Sequence, residues 1–289
     1  MTKRILLVDG MALLFRGYYA TAYRGNFMRN DEGIPTNGVY QFLRYFLDGV
    51  KTFQPSHIFC CWDMGSKTFR TELYPTYKAN RSEPPEELIP QFDLVKEVVD
   101  YFQVPNIGLK NFEADDIIGT IANRYKQDAN VFILTGDYDM LQLVQENVHV
   151  ALMKKGIGNY EIYDIDNFYE KRGIYPDQII DFKGFTGDAA DNYPGVRGIG
   201  EKTAVKLLQK YGSIDKIIAN KDELSQGIRK KIEDDIEMFW LSQKLAEIKC
   251  DIPLQCELKE AEVDFHIDKI ENRLKKLGIR IKSIREYLE

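Results

Sequence analysis

Val131-Phe132-Ile133-Leu134-Thr135-Gly136-Asp137-Tyr138-Asp139 is a short apolar run that stops at a glycine and two acids. A run of this length, bounded by turn residues, reads as a buried β-strand. The same ending recurs upstream. Arg4-Ile5-Leu6-Leu7-Val8 closes in Asp9, and His57-Ile58-Phe59-Cys60-Cys61-Trp62 closes in Asp63. A further strand is expected at 147–153. Helical patterns lie between the strands: Val39, Phe42, Leu43, Phe46, Leu47 and Val50 share one face, and Pro84-Pro85 opens a helix with Leu88, Phe92, Val95 and Val99 inward. Strands alternating with helices predict a mostly parallel sheet with right-handed crossovers. The carboxyl ends of such strands face the ligand crevice. Acids far apart in sequence should therefore converge on one rim, and carboxylates packed together repel unless a cation holds them.

Composition bounds the alternatives. The 289 residues include 44% hydrophobic side chains, enough for a real core. No apolar run approaches a membrane span. Met1-Thr2-Lys3-Arg4-Ile5 enters a strand at once, without a signal-peptide core, so a cytosolic address is expected. Cys60, Cys61, Cys250 and Cys256 lack zinc-type spacing, and His57, His149 and His266 are scattered, which points to reduced core thiols. The net charge of −6 speaks against a nucleic-acid binder by itself. It hides two basic stretches. Lys67, Arg70, Lys78 and Arg81 face only Glu72, and Arg197, Lys202, Lys206 and Lys210 face only Glu201. After about residue 175 the strand signals stop, so residues 1–175 are expected to form the α/β unit and 176–289 a helical lobe whose tail, 267–289, is charged and helical.

Three constellations carry chemistry. The first is the acidic set Asp9, Asp63, Glu113, Asp115, Asp116, Asp137, Asp139, Asp188 and Asp191. Acids in a first helical turn are favoured by the dipole, but three in the four residues from Glu113 to Asp116 exceed what capping needs. Carboxylate oxygens suit magnesium, and two such ions can activate a water and stabilise a leaving oxygen. The second is the basic-aromatic stretch Phe69-Arg70 through Tyr74, Tyr77, Lys78 and Arg81, in which rings can stack on bases and cations can grip phosphates; a solvated loop is the bland alternative. The third is Pro194-Gly195-Val196-Arg197-Gly198-Ile199-Gly200-Glu201-Lys202-Thr203-Ala204, a glycine turn opening into a helix. Helix-start N–H groups there favour a phosphate, and Lys202 and Lys206 lie one turn apart. It lacks the Gly-x-Gly-x-x-Gly order and the preceding strand of a dinucleotide site.

Leu6-Leu7-Val8-Asp9-Gly10, Tyr77-Lys78-Ala79-Asn80-Arg81, Glu113-Ala114-Asp115-Asp116, Thr135-Gly136-Asp137-Tyr138-Asp139, Thr186-Gly187-Asp188-Ala189-Ala190-Asp191-Asn192 and the glycine turn, in this order, resemble the bacterial and phage 5′-nuclease (flap endonuclease) family, including the exonuclease domain of bacterial DNA polymerase I. The resemblance implies a PIN-like α/β core with an arch at 64–105 and a helical lobe with a helix–three-turn–helix at 194–204. It implies hydrolysis of 5′ flaps, and of RNA primers, with two Mg2+ or Mn2+ ions. One ion belongs near Asp9, Asp63, Glu113 and Asp115, the other near Asp137, Asp139, Asp188 and Asp191, with Asp116 between them. Lys78 and Arg81 match cations on the scissile phosphate, Tyr77 an aromatic that stacks on an end nucleotide, and Arg16 another phosphate contact. Gly198, Gly200, Lys202 and Lys206 match duplex contacts, with K+ on main-chain carbonyls near Val196 and Ile199. The implied partners are branched or 5′-flapped DNA and RNA–DNA primer junctions, with no membrane, a monomeric state and a functional link to polymerase and ligase. Polymerase-linked relatives continue for hundreds of residues, whereas this sequence stops at Glu289, as a free-standing nuclease or an excised domain would. A catalytically silent binder of branched DNA and a ribonuclease are the competing readings. The unbroken acidic set opposes the first, and the glycine turn opposes the second.

Overall fold

The computed structural model describes residues 2–25 and 27–288; Met1, Asn26 and Glu289, the last of which closes the expected helical tail, lie outside them. Strands β1 (Lys3–Asp9), β2 (His57–Trp62), β3 (Asn106–Gly108), β4 (Ala129–Thr135), β5 (Val148–Met153) and β6 (Tyr160–Tyr163) form one sheet in the order β3-β2-β1-β4-β5-β6. All pairings are parallel except β6 against β5. The chain builds outward from β1 to one side and then from β4 to the other. The strand order therefore reverses between β1 and β4, which opens a crevice at their carboxyl ends. Asp9 ends β1, Asp63 follows β2 and Asp137 lies two residues beyond β4, so all three reach that rim.

Both faces of the sheet are covered. Helices α1 (Gly10–Thr21), α2 (Asn37–Phe53), α3 (Phe69–Leu73) and α4 (Ile89–Tyr101) come before β3. On one face Leu6, Val8, Ile58 and Cys60 pack with Phe42 and Phe46 of α2 and Val95 and Val98 of α4. On the other, Ile5, Leu7, Phe59 and Cys61 pack with Ile117, Ile118 and Ile121 of α5 (Ala114–Tyr125). Alternation along each strand sends neighbouring side chains to opposite faces, which is why Cys60 and Cys61 enter different cores. All four cysteines are free thiols.

Helix α6 (Phe168–Arg172) ends the first unit, and the second lobe holds α7 (Ile179–Thr186), α8 (Glu201–Tyr211), α9 (Ile214–Ala219), α10 (Gln226–Asp234) and α11 (Ile236–Ala246). Phe185, Val196, Ile199, Leu208 and Phe239 continue the α5-side core without a break. Among the described residues no helix is long and apolar enough to cross a membrane.

The structure corrects four expectations. The helix expected at Pro84-Pro85 begins at Ile89, because Pro90 takes the first turn, where its missing N–H has no partner to lose. Its buried face includes Leu94 and Val98 as well as Val95 and Val99, with Phe92 only partly covered. Strands do not stop at 175: β7 (Gly187–Asp188) pairs with β8 (Tyr193–Pro194). Here backbones nearly touch, since a Cβ on Gly195 would lie 2.1 Å from the Phe185 carbonyl oxygen, so only glycine fits. Finally, the tail leaves the helical lobe. Helices α12 (Ile267–Lys276) and α13 (Arg285–Leu288) return to the first unit, where Ile270, Leu274, Ile279 and Ile284 join the core of α2 and α4.

Candidate active site

The rim residues divide into groups that differ in what neutralises them. Asp9 caps α1: its Oδ1 accepts from the Ala12 N–H at 3.0 Å, and its Oδ2 from the Thr135 hydroxyl at 2.7 Å. The Thr135 oxygen in turn accepts from the Asp137 N–H at 3.0 Å. This buried hydroxyl fixes both strand-end acids, a role that sequence reasoning missed although Thr135 stands inside a quoted motif. Asp63 Oδ1 accepts from the Ala114 N–H at 2.7 Å, which ties the end of β2 to the first turn of α5. Asp115 stands in that same turn. Asp9, Asp63, Asp115 and Asp137 make no ion pair within 4 Å among the described residues. Burial, with Asp137 and Asp63 nearby, pushes the Asp9 carboxyl up to about 7. Burial, with Asp137, Asp9 and Glu113, drives Asp115 well above the carboxylate range, although Lys78 partly opposes it. Such a set of crowded oxygen donors, none of them in an ion pair among the described residues, has the chemistry to hold a hard divalent cation.

The remaining five acids already have cationic partners. Asp139 and Asp188 share the Lys183 ammonium, which lies 2.5 Å from Asp188 Oδ2. Burial works against the lysine charge, but the two acids outweigh it and hold its pKa above the usual value. Burial, with Asp137 nearby, still lifts Asp139 to about 6. Glu113 and Asp191 face Lys78, at 2.9 and 3.8 Å, and Arg81 meets Asp191 Oδ1 at 2.5 Å. The Tyr77 hydroxyl donates to Asp191 at 3.0 Å and Glu113 at 3.3 Å. Asp116 is 0% exposed, and both its oxygens accept from Arg70 at 2.8 Å.

Several expectations change accordingly. Asp116 and Arg70 form a buried pair that also reaches the Leu245 and Glu247 carbonyls and the Lys249 N–H, so Asp116 is no free ligand between two ions and Arg70 no phosphate grip. Tyr77 is 5% exposed with its ring stacked on Tyr193, so it offers no open face to a nucleotide in this conformation. The arch segment does not stand free. Lys78 N–H donates to the Asp191 carbonyl, Asn80 to the Ala189 carbonyl and Asn192 to the Thr76 carbonyl, at 2.9, 2.9 and 2.6 Å. Lys78 and Asn192 both hold left-handed backbone at this seam, φ +55° and +58°. Among the described residues no three acids close into a ready-made metal cage. Their hydrogen bonds to backbone and their lysine and arginine partners orient the oxygens separately. The second expected ion site is split in the same way, with Asp139 and Asp188 turned to Lys183 and Asp191 to the arch.

Arg16 lines a cleft of about 450 Å³ with Ala12, Asp137, Asp139, Lys183 and Asp188, while its guanidinium donates to the Lys154 carbonyl. In the glycine turn, Gly198 has φ +77° and Gly200 caps α8, with Lys202 and Lys206 exposed on that helix. Val196 and Ile199 are buried, and the Val196 carbonyl accepts from the Ile199 N–H at 3.0 Å. The Gly198 carbonyl accepts from the Lys231 ammonium at 2.9 Å.

The model of the "5'-3' exonuclease, N-terminal resolvase-like domain" matches residues 4–173, and that of the "5'-3' exonuclease, C-terminal SAM fold" matches 174–270. A 5'-3' exonuclease of Bacillus subtilis is 50% identical over 99% of this chain and 96% of its own. DNA polymerase I of Bacillus caldotenax is 40% identical over 90% of this chain, which spans 29% of that polymerase. The bacteriophage T5 flap endonuclease, solved as a pseudo-enzyme-product complex with DNA and metal ions, shares the fold at TM-score 0.69 and 22% identity, covering 86% of this chain and 90% of its own. With both domain signatures in register with the sheet and the helical lobe, and a relative half identical from end to end, the chain belongs to the 5'-3' exonuclease family.

Proposed function

We propose that this chain is a cytosolic, monomeric 5′ nuclease that hydrolyses DNA phosphodiesters at 5′ flaps and ends, and RNA primers at their junctions, working beside polymerase and ligase in replication and repair. One observation carries the reading: Asp9, Asp63, Asp115 and Asp137 gather along the rim at the strand-order reversal and make no ion pair within 4 Å among the described residues, with Lys78 and Arg81 on the neighbouring acids Glu113 and Asp191. Bound Mg2+ or Mn2+ would supply there an activated water and stabilisation of the leaving oxygen. Asp9, Asp63 and Asp115 would hold the first ion, with Glu113 once Lys78 turns away, and Asp137, expected at the second ion, would join them because its charge already acts on Asp9 and Asp115.

The protein's own groups do the positioning. Lys78 and Arg81 hold Glu113 and Asp191 and exchange them for the scissile phosphate, whose growing charge they stabilise. Arg16 contacts a neighbouring phosphate from the cleft. Gly198 and Gly200 let the duplex backbone approach the turn, and Lys202 and Lys206 follow it. A K+ ion at the Val196 and Ile199 carbonyls would add to that grip. The T5 enzyme's complex with DNA and metal ions supports the reading through the shared fold.

A 5′-labelled flap duplex with Mg2+ tests it. Release of the labelled fragment by wild type, and loss of at least about 10³-fold in Asp137→Ala, is expected. Tight flap binding without turnover at any Mg2+ or Mn2+ concentration would make the chain a silent binder instead.

A further inference from the structure

Lys183 stands where the second cation is wanted. It projects from α7 of the helical lobe, and its ammonium bonds Asp139, in the 3-10 turn Tyr138–Leu143, and Asp188, in β7. The side chain is 14% exposed, and Asp139 and Asp188 are 15% and 18% exposed. All three also line the open cleft of about 450 Å³ that Asp137 and Arg16 border. A hydrated ion arriving from solvent therefore reaches these carboxylates through the space into which the lysine could move.

We propose that Lys183 is a built-in counter-ion for Asp139 and Asp188, and that a divalent cation binds on that side of the rim only by displacing the ammonium. Both cations need the same oxygens. Asp139 Oδ1 and Asp188 Oδ2 cannot accept a short bond from Nζ and also coordinate an ion at roughly 2.0–2.2 Å. An ammonium left within about 4 Å of a divalent ion would repel it strongly in this half-buried site. The lysine's flexible four-carbon stem permits the exchange, and its natural new partner is a phosphate oxygen entering the cleft. Lys183 is thus a positioning residue. It keeps the two acids in place and neutralised, and it makes the second ion weak until an anion draws the ammonium away. An ordinary structural ion pair would add stability and leave cation affinity untouched.

The proposal rests on the nuclease reading for the ion's purpose and not for the displacement, which is measured without DNA. The full chain and Lys183→Met are titrated with Mn2+ by calorimetry and electron paramagnetic resonance, and melted with and without Mn2+. The weaker Mn2+ site should tighten about tenfold or more in Lys183→Met, with the tighter site unchanged, because two carboxylates lose the ammonium that neutralises them. The variant's melting temperature should also rise more with Mn2+ than that of wild type. Adding Asp188→Asn to Lys183→Met should cancel the gain. Equal Mn2+ affinities in wild type and Lys183→Met would overturn the proposal, as would a gain that survives Asp188→Asn. If Lys183→Met does not fold, Lys183→Gln, which keeps a hydrogen-bond donor without the charge, is read by the same outcomes. Absent flap cleavage with tightened Mn2+ binding would count against the nuclease reading alone. Normal cleavage with unchanged Mn2+ binding would count against Lys183 alone.

Discussion

Asp9, Asp63, Asp115 and Asp137 carry the same group on the same rim as Glu113, Asp116, Asp139, Asp188 and Asp191, yet the two sets live under different electrostatics. The first comes from strand ends and the first turn of α5, and its members make no ion pair within 4 Å among the described residues. The second is met by Arg70, Lys78 and Arg81 from the arch and by Lys183 from the helical lobe. The sheet therefore supplies uncompensated charge, and the two appended segments supply internal cations. An acid in the first set is a burden on folding without a bound ion, whereas an acid in the second holds segments together.

The sharpest attack on this contrast is Arg70→Met. It strands Asp116, fully buried, without its counter-charge, and should cost about 3–5 kcal/mol in urea unfolding. Arg70→Met with Asp116→Leu should recover much of that. A loss under about 1 kcal/mol in the single variant would show that the pair does not hold the arch to the core. Lys78→Ala comes next. Turnover on a flap duplex should fall about 10²–10³-fold while duplex affinity falls much less, since the contact strengthens as charge develops. Matching losses in both would place Lys78 in ground-state binding.

Asp9 probes the uncompensated side through pH. Its folded carboxyl releases a proton near 7 and its unfolded one near 3.8. Between those values the folded chain holds a proton that the unfolded chain has lost, so stability in chelator should fall as pH climbs from about 4 to about 7 and level off above. Asp139, lifted to about 6, acts in the same direction. Asp9→Asn should flatten this fall and stabilise the ion-free protein by about 1–2 kcal/mol at pH 8, read as a melting shift of roughly 2–4 °C per kcal/mol. Wild-type stability that rose across that window would break the contrast. The smallest effect belongs to Lys202→Ala, an exposed cation on α8, which should lower the log–log salt slope of duplex binding by about 0.9. No change in slope would remove Lys202 from the contact surface.

The strand-end acids were legible because a buried parallel strand must be apolar and must end at the rim; one pattern reveals both. The order of motifs exposed the helical lobe in the same way. What stayed hidden depends on distance along the chain. Arg70 and Tyr77 read as contacts to phosphate and base because they stand in a basic-aromatic stretch, but their partners Asp116 and Tyr193 lie far downstream. Lys183 has one of its acids, Asp188, five residues away, but the other, Asp139, lies far upstream. The strands β3 and β6, of three and four residues, are too short for a period to show. The tail read as a charged helix because its buried Ile270, Leu274, Ile279 and Ile284 are outnumbered by lysine, arginine and glutamate.

That returning tail has a practical meaning for dissection. The two family segments meet between residues 173 and 174, yet the first is roofed by residues from beyond the end of the second. A fragment cut at the meeting point would bare the greasy surface of α2 and α4 along with the floor shared with the helical lobe. The polypeptide is a strap buckled on itself, and its halves are poor candidates for separate expression.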